Sequence, residues 1–290
     1  MKIVRDWLFI ILFFSNIPAS AGSNGVAFGG FESKPDKGQI SFSNPGYEIS
    51  NILKDGAPFI KPEMEGAGSK SEPGQPDLPT MSTYYAVEPG KTFTINASIK
   101  ESEVIENVEV VPFETWNSQP TGVIEKGVTY QQSSSFPANI ATVSDPMVFR
   151  DIVMVQVSVT PFQYNPVSKT LTVIQEIDLE LVESGATEVP YIPQQKSREF
   201  EILYESLVVN YPSTIREGEE VYQRPSILYV LPNNIGNLLS TVEELMNWKK
   251  RVGFDVQYVS TSSIVNNRNN LKNYIEDAYE TWENPPVHVT

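Results

Sequence analysis

One histidine, His288, and no cysteine stand in these 290 residues. Those two counts bound the acid–base and nucleophilic chemistry open to the chain. A thiol nucleophile and any cysteine-based metal site are excluded. Ser-His-Asp hydrolysis would have to run through His288, and no Gly-x-Ser-x-Gly turn presents a serine to it. His288 lies within "PPVHVT", where it reads as a strand residue packing beside a helix. Carboxylates are plentiful, yet "EGEE" and "EELM" read as solvated faces. The stretch "GVAFGGFES" is glycine-rich without following a strand or opening a helix, which argues against a phosphate loop. No Asp-x-Asp-x-Asp-Gly calcium loop is present. The nearest basic-aromatic cluster, "NWKKRVGF", suits a helix end better than a nucleic-acid surface. With Lys and Arg at 21, Asp and Glu at 36 and a formal charge of −15, the surface repels phosphate, so nucleic acid is excluded as a partner. No cofactor and no metal are expected.

The elements that would position any site follow two patterns. Residues 1–21 carry Lys2 and Arg5, a short apolar run from Trp7 to Phe14, and Ala19-Ser20-Ala21 before a cleavage point after Ala21. This is the pattern of a secretory signal peptide, too short to span a bilayer, and no later stretch is apolar enough to cross one. An exported chain without cysteine has no disulfides and relies on its core. Residues 22–80 are rich in Gly, Ser and Pro with strand-like pieces, and from Met81 to about Glu183 period-two segments follow, divided by Pro, Gly and Asn. "TFTINASI" sets Phe93, Ile95 and Ala97 on one side. "DIVMVQVSVTPF" opposes Val153, Val155, Val157 and Val159 to Ile152, Met154, Gln156 and Ser158. "TLTVIQEIDLELV" places Leu171, Val173, Gln175, Ile177, Leu179 and Leu181 on one face, and "NPVSK" is the turn joining the two longest strands. Such alternation predicts antiparallel sheets packed as an all-β sandwich. "REFEILYESLVV" fits either a short helix or a strand, and residues 212–224 read as an exposed polar linker.

From residue 225 the pattern changes. "SILYVLP" is a continuous apolar run, as in a strand buried on both faces. Ile235, Leu238, Leu239, Val242, Leu245 and Met246 follow at helical spacing, with Asn233 or Asn234 as the cap and Gly253 as the stop. "FDVQYVS" is a second strand, "NNLKNYIEDAYETW" a second helix, and "PPVHVT" opens a third strand. This β-α-β-α-β order belongs to a doubly wound, mostly parallel α/β domain, and three strands are about half of what such a domain needs. The chain is therefore expected to be part of a longer protein.

Taken together, "GQPDLP", "YYAVEPGKTFTI" and "VQVSVTPFQYNPVSKTLTVIQEIDLEL", followed by "SILYVLPNN", "LMNWKKRVGFDVQYVS" and "AYETWENPPVHVT", resemble the gingipain-like cysteine peptidases of family C25 over most of residues 70–290. The resemblance implies a signal peptide (1–21), a β-sandwich propeptide (22–211), a linker (212–224) and the start of a caspase-like catalytic domain (225–290). It implies that the catalytic His and Cys lie further along, so that this chain alone is inactive. The propeptide's partner would be its own catalytic domain, which it helps to fold and blocks until cleaved, and peptide substrates would belong to the full-length enzyme at or outside the cell surface. Because gingipain-type enzymes cut after Arg or Lys, a basic propeptide side chain could fill the specificity pocket. Lys126 in "EKGVTY" and Arg150 in "FRD" both qualify. Activation would cut after Arg216 or Arg224, with Arg216 favoured because Pro225 obstructs the second. The alternatives are a secreted binding or adhesion module and a stand-alone protease inhibitor, both without catalysis.

Overall fold

The structure is a computed structural model that describes residues 29–54, 56–114, 125–188, 191, 195–211, 222–236, 238–263 and 267–290. Residues 1–21, read above as a signal peptide, and Arg216 lie outside these residues.

The first part of the chain contributes twelve strands: β1 (Phe31–Ser33), β2 (Gln39–Ser43), β3 (Glu48–Lys54), β4 (Ala57–Glu63), β5 (Gly68–Ser69), β6 (Pro79–Val87), β7 (Lys91–Ile105), β8 (Ala141–Val143), β9 (Met147–Phe149), β10 (Ile152–Val159), β11 (Phe162–Asn165) and β12 (Thr170–Ala186). One sheet runs β1-β2-β12-β11 with β7 also paired to β12. The other runs β5-β6-β10-β8 with β9 also paired to β10. Every pairing within these two sheets is antiparallel. Between them lies one core, in which Ile40, Phe42, Leu171, Ile177 and Leu179 of the first sheet meet Val155, Val157 and Val159 of the second. This is the β-sandwich that the alternation predicts. A separate hairpin, β3–β4, joins it through a bridge between Ile60 and Val110.

Two details depart from the simple alternation. "DIVMVQVSVTPF" and the residues after it form two strands, because the chain leaves one sheet at Val159 and enters the other at Phe162. Pro161 stands at this crossing, where a missing backbone donor costs no ladder bond. The turn at 165–169 consequently joins the short β11 to β12, while the longest partner of β12 is β7. Within β12 the register with β7 shifts between Ile174 and Glu176. The bulge turns Ile174 fully inward and leaves Gln175 half-buried, its amide donating to Glu103.

"REFEILYESL" forms a helix, α1 (Arg198–Leu207), that lies across the outer face of the β6/β10 sheet. Tyr204, Val208 and Tyr211 pack there on Met154, which is why β10 is buried on both faces. Asn210 completes the docking, since its side chain accepts from the Ala86 amide (2.7 Å) and donates to the Ala86 carbonyl (3.0 Å), imitating a strand neighbour at the edge of β6.

The second part is a three-stranded parallel sheet of order β14-β13-β15, made of β13 (Ser226–Leu231), β14 (Asp255–Ser260) and β15 (His288–Val289). Helix α2 (Leu238–Arg251) covers one face through Met246, against Ile227, Tyr229, Leu231 and Val256. Helix α3 (Arg268–Thr281) covers the other through Ala278, against Leu228 and Val259. Alternate residues of β13 serve opposite faces, which explains its unbroken apolar run. Helix α2 begins at Leu238, too late for Asn233 or Asn234 to cap it. Asn233 instead accepts from the Ser260 and Thr261 hydroxyls (3.3 and 2.7 Å), tying the end of β13 to the end of β14. At the other terminus the expectation holds. Lys249, Lys250 and Arg251 fill the last turn, Gly253 adopts φ +106°, and Phe254 N–H reaches back to the Lys249 carbonyl (3.1 Å). No helix of the described residues is long and apolar enough to cross a membrane.

Candidate functional site

Lys126 follows the undescribed residues 115–124 and is seated by Gly127, whose N–H donates to the Gly74 carbonyl (2.8 Å). Its ammonium pairs with Glu109 and lies over the rings of Phe59 (5.2 Å) and Tyr130 (5.6 Å), with 41% of the side chain exposed. Lys169 approaches the other oxygen of Glu109 (3.1 Å). Burial pulls the Glu109 carboxyl upward, and the two ammonium groups outweigh it and hold the group below its ordinary value. A folded-state value below the unfolded one means that this cluster stabilises the fold above the ordinary Glu range, with the contribution lost as pH falls through the folded value. Lys126→Met is therefore expected to flatten the decline of the urea midpoint between pH 6 and pH 3, an effect of less than about 1 kcal/mol for so exposed a pair.

Arg150 is placed differently. It occupies the turn between β9 and β10 at φ +57°, and its guanidinium turns inward with 3% of the side chain exposed. It donates to the Gln223 side chain and stacks on Phe200 of α1 (4.9 Å) and Tyr279 of α3 (5.8 Å). Its Nε finds no hydrogen-bond partner, the nearest carboxylate oxygen being Oδ1 of Asp151 at 4.0 Å. Asp151 in turn accepts from the Tyr204 hydroxyl, while the Tyr191 hydroxyl donates to the Asp151 carbonyl (2.8 Å). Burial raises the Asp151 carboxyl, the Tyr204 phenol and the Tyr279 phenol, the last to about 12. The loop-like context read from the sequence corresponds to this turn, but the Arg150 side chain is buried in a joint rather than presented at the surface.

Residues 222–226 form a strap that belongs to both parts. Tyr222 bridges Lys196, donates to Glu201 (2.6 Å) and lies under Arg198 (4.9 Å). On the other side, Gln223 Nε2 and Ser226 Oγ both donate to the Pro285 carbonyl (3.1 and 2.6 Å), and Val287 N–H donates to Ser226 Oγ (3.0 Å). Arg224 is exposed, but its Nε donates to the Gly253 carbonyl (2.8 Å) and its neighbours are fixed. The residues flanking the Arg224–Pro225 bond are thus held by hydrogen bonds from both parts. Sequence reasoning missed Gln223 and Tyr279. Gln223 sits in polar sequence with no local signal, and Tyr279 is one residue of the helical segment "NNLKNYIEDAYETW" with nothing to single it out.

A cleft of about 600 Å³ beside the strap is lined by Gln195, Arg224, Asp255, Gln257, Trp282 and Asn284 among others. It opens at the amino-terminal edge of the parallel sheet, whereas ligands of doubly wound sheets bind at the carboxyl ends. His288 is exposed on the edge strand β15, paired in register with Ile227, rather than packed beside a helix. Among the described residues no group of three or more His, Asp or Glu is placed to hold a metal ion.

The Propeptide_C25 family profile matches residues 34–227. The chain belongs to the C25 propeptide family. A second profile, Peptidase family C25, matches residues 221–290, so the two matches overlap on the strap. Gingipain R2 of Porphyromonas gingivalis is 27% identical over 235 residues, covering 76% of this chain and 31% of that protein. Gingipain R1 of the same organism is 28% identical over 229 residues, covering 76% of this chain and 22% of the relative. The chain thus spans about a third or less of the gingipains it matches. A solved structure, the complex of Porphyromonas gingivalis RgpB pro- and mature domains, aligns at TM-score 0.55 and 25% identity over 64% of this chain and 98% of the matched one. The C25 propeptide assignment therefore rests on both sequence and fold, and the sandwich is the portion that carries it.

Proposed function

We propose that these residues are the amino-terminal part of an exported, gingipain-like cysteine endopeptidase precursor. The sandwich (residues 22–211) covers and blocks the active site of a caspase-like C25 domain that begins at residue 225, and residues 212–224 are the linker. The observation that carries this reading is the meeting of the two family matches on one strap, with the first ending at 227 and the second starting at 221. The two solved domains of the matched complex, one pro and one mature, support the assignment of the catalytic domain as the sandwich's partner. With no cysteine in the 290 residues, this chain performs no thiol catalysis, and the nucleophile belongs to the longer precursor. Residues 1–21 direct export, to the bacterial cell surface or beyond.

Of the two basic candidates, Lys126 is the one carried forward as the blocking residue. Its ammonium is exposed and would exchange Glu109 for an acidic group in the specificity pocket, whereas the Arg150 guanidinium is enclosed. Activation cuts after Arg216. In the precursor containing its peptidase domain, Arg216→Gln is expected to abolish separation of the propeptide on a denaturing gel, and Arg224→Gln to leave it unchanged. Normal processing of Arg216→Gln would remove Arg216 from this role.

A further inference from the structure

We propose that the sandwich holds the α/β unit through a buried anchor, Arg150 against Gln223 and Tyr279, that is distinct from whatever blocks the active site and keeps the two pieces together after the linker is cut. The inference rests on the reading of the chain as a precursor cleaved in its linker. Its geometry is independent of that reading. One guanidinium, supplied by the β9–β10 turn of the sandwich, touches α1 at Phe200, the strap at Gln223 and α3 at Tyr279. Gln223 passes the contact on to the Pro285 carbonyl, next to the start of β15. None of these residues contributes to the Lys126 cluster of Glu109, Phe59, Tyr130 and Lys169.

The position of the strap makes the anchor consequential. Tyr222, Gln223 and Arg224 lie on the carboxyl side of residues 212–221, so a cut there leaves them with the second fragment. Yet Gln223 N–H donates to the Lys196 carbonyl (2.8 Å), the Tyr222 hydroxyl to Glu201, and the Gln223 side chain accepts from Arg150. Every one of these contacts crosses between the fragments, and a cut removes none of them. A buried, hydrogen-bonded charge that loses its partner is strongly unfavourable, so dissociation must expose the guanidinium and the Gln223 amide together. Linker cleavage alone therefore leaves the two fragments associated, and their separation has to break these contacts together.

The test uses the chain from residue 22 to 290 with a site for a sequence-specific protease placed between residues 212 and 221. After cutting, the parent fragments are expected to co-elute on gel filtration. Arg150→Met, in the first fragment, should weaken their association at least about 30-fold, and Gln223→Leu, in the second, should do likewise. The double variant should fall well short of the product of the two effects, because both remove one contact. Leu53→Ala, on the exposed β3–β4 hairpin, should leave association unchanged. Gln223→Leu keeps the test decisive if the Arg150 variant fails to fold, since the sandwich is then untouched. Undiminished association in Gln223→Leu overturns the anchor. Fragments that stay joined through Arg150 but do not inhibit any C25 peptidase would instead overturn the functional reading and leave the anchor standing.

Discussion

Lys126→Ala in the isolated sandwich is expected to weaken inhibition of an Arg- or Lys-specific C25 peptidase by at least about a hundredfold, because a charged side chain seated in a specificity pocket behaves as a hot spot. The same substitution should scarcely move the melting temperature. In the free propeptide Lys126 makes a half-exposed ion pair with Glu109 and lies over two rings, contacts of a kind that contribute about 1 kcal/mol or less. Loss of inhibition without loss of stability separates a blocking role from a structural one. Lys126→Arg supplies the control, since it keeps the charge and should retain most of the inhibition. Equal inhibition by Lys126→Ala and the parent would mean that another side chain fills the pocket.

Phe42→Ala should destabilise the sandwich by about 3–5 kcal/mol, read as a lower urea midpoint at unchanged slope. Phe42 is fully buried on β2, in register with Phe31 on one side and Ile177 on the other, and its ring meets that of Phe31 edge-on at 4.9 Å. Against the 5–15 kcal/mol typical of a domain, this is a large fraction of the whole, so the variant should also inhibit poorly at elevated temperature. Leu53→Ala is the contrast. Leu53 is 75% exposed on the β3–β4 hairpin, and its removal should change stability by no more than about 0.5 kcal/mol. If Phe42→Ala proved as mild as Leu53→Ala, the two-sheet core described above would be wrong.

What could be read directly from the amino acids was periodicity. The valines of β10 and the even run of β13 announce which faces are buried, and both face their cores as expected. Registers and bulges were not legible, because a one-residue slip such as that near Ile174 is set by a partner strand distant in sequence. The start of α2 was misjudged for a related reason. Asn233 has the right chemistry for a cap, but its side chain is claimed by Ser260 and Thr261 across the sheet. The Arg150 joint was invisible in the same way. A charged residue next to an acid in "FRD" resembles a solvated turn, and only the fold brings Gln223, 73 residues away, against it.

The candidate site was legible to a similar degree. The basic residues were nominated by their types and surroundings, and the structure separates them by exposure, leaving Lys126 at the surface and enclosing Arg150. Arg224 was disfavoured by the proline that follows it, and in the strap its neighbours are held from both sides.

The most direct measurement is the inhibition constant of residues 22–224 against a mature Arg- or Lys-specific C25 peptidase. The buried residues of the sandwich core run from Phe31 to Leu181, with Val209 packed against them, all within this fragment, so it should fold without the α/β unit. The account predicts tight, saturable, competitive inhibition that is lost with Lys126→Ala. A folded fragment that leaves such peptidases fully active at micromolar concentration would contradict it.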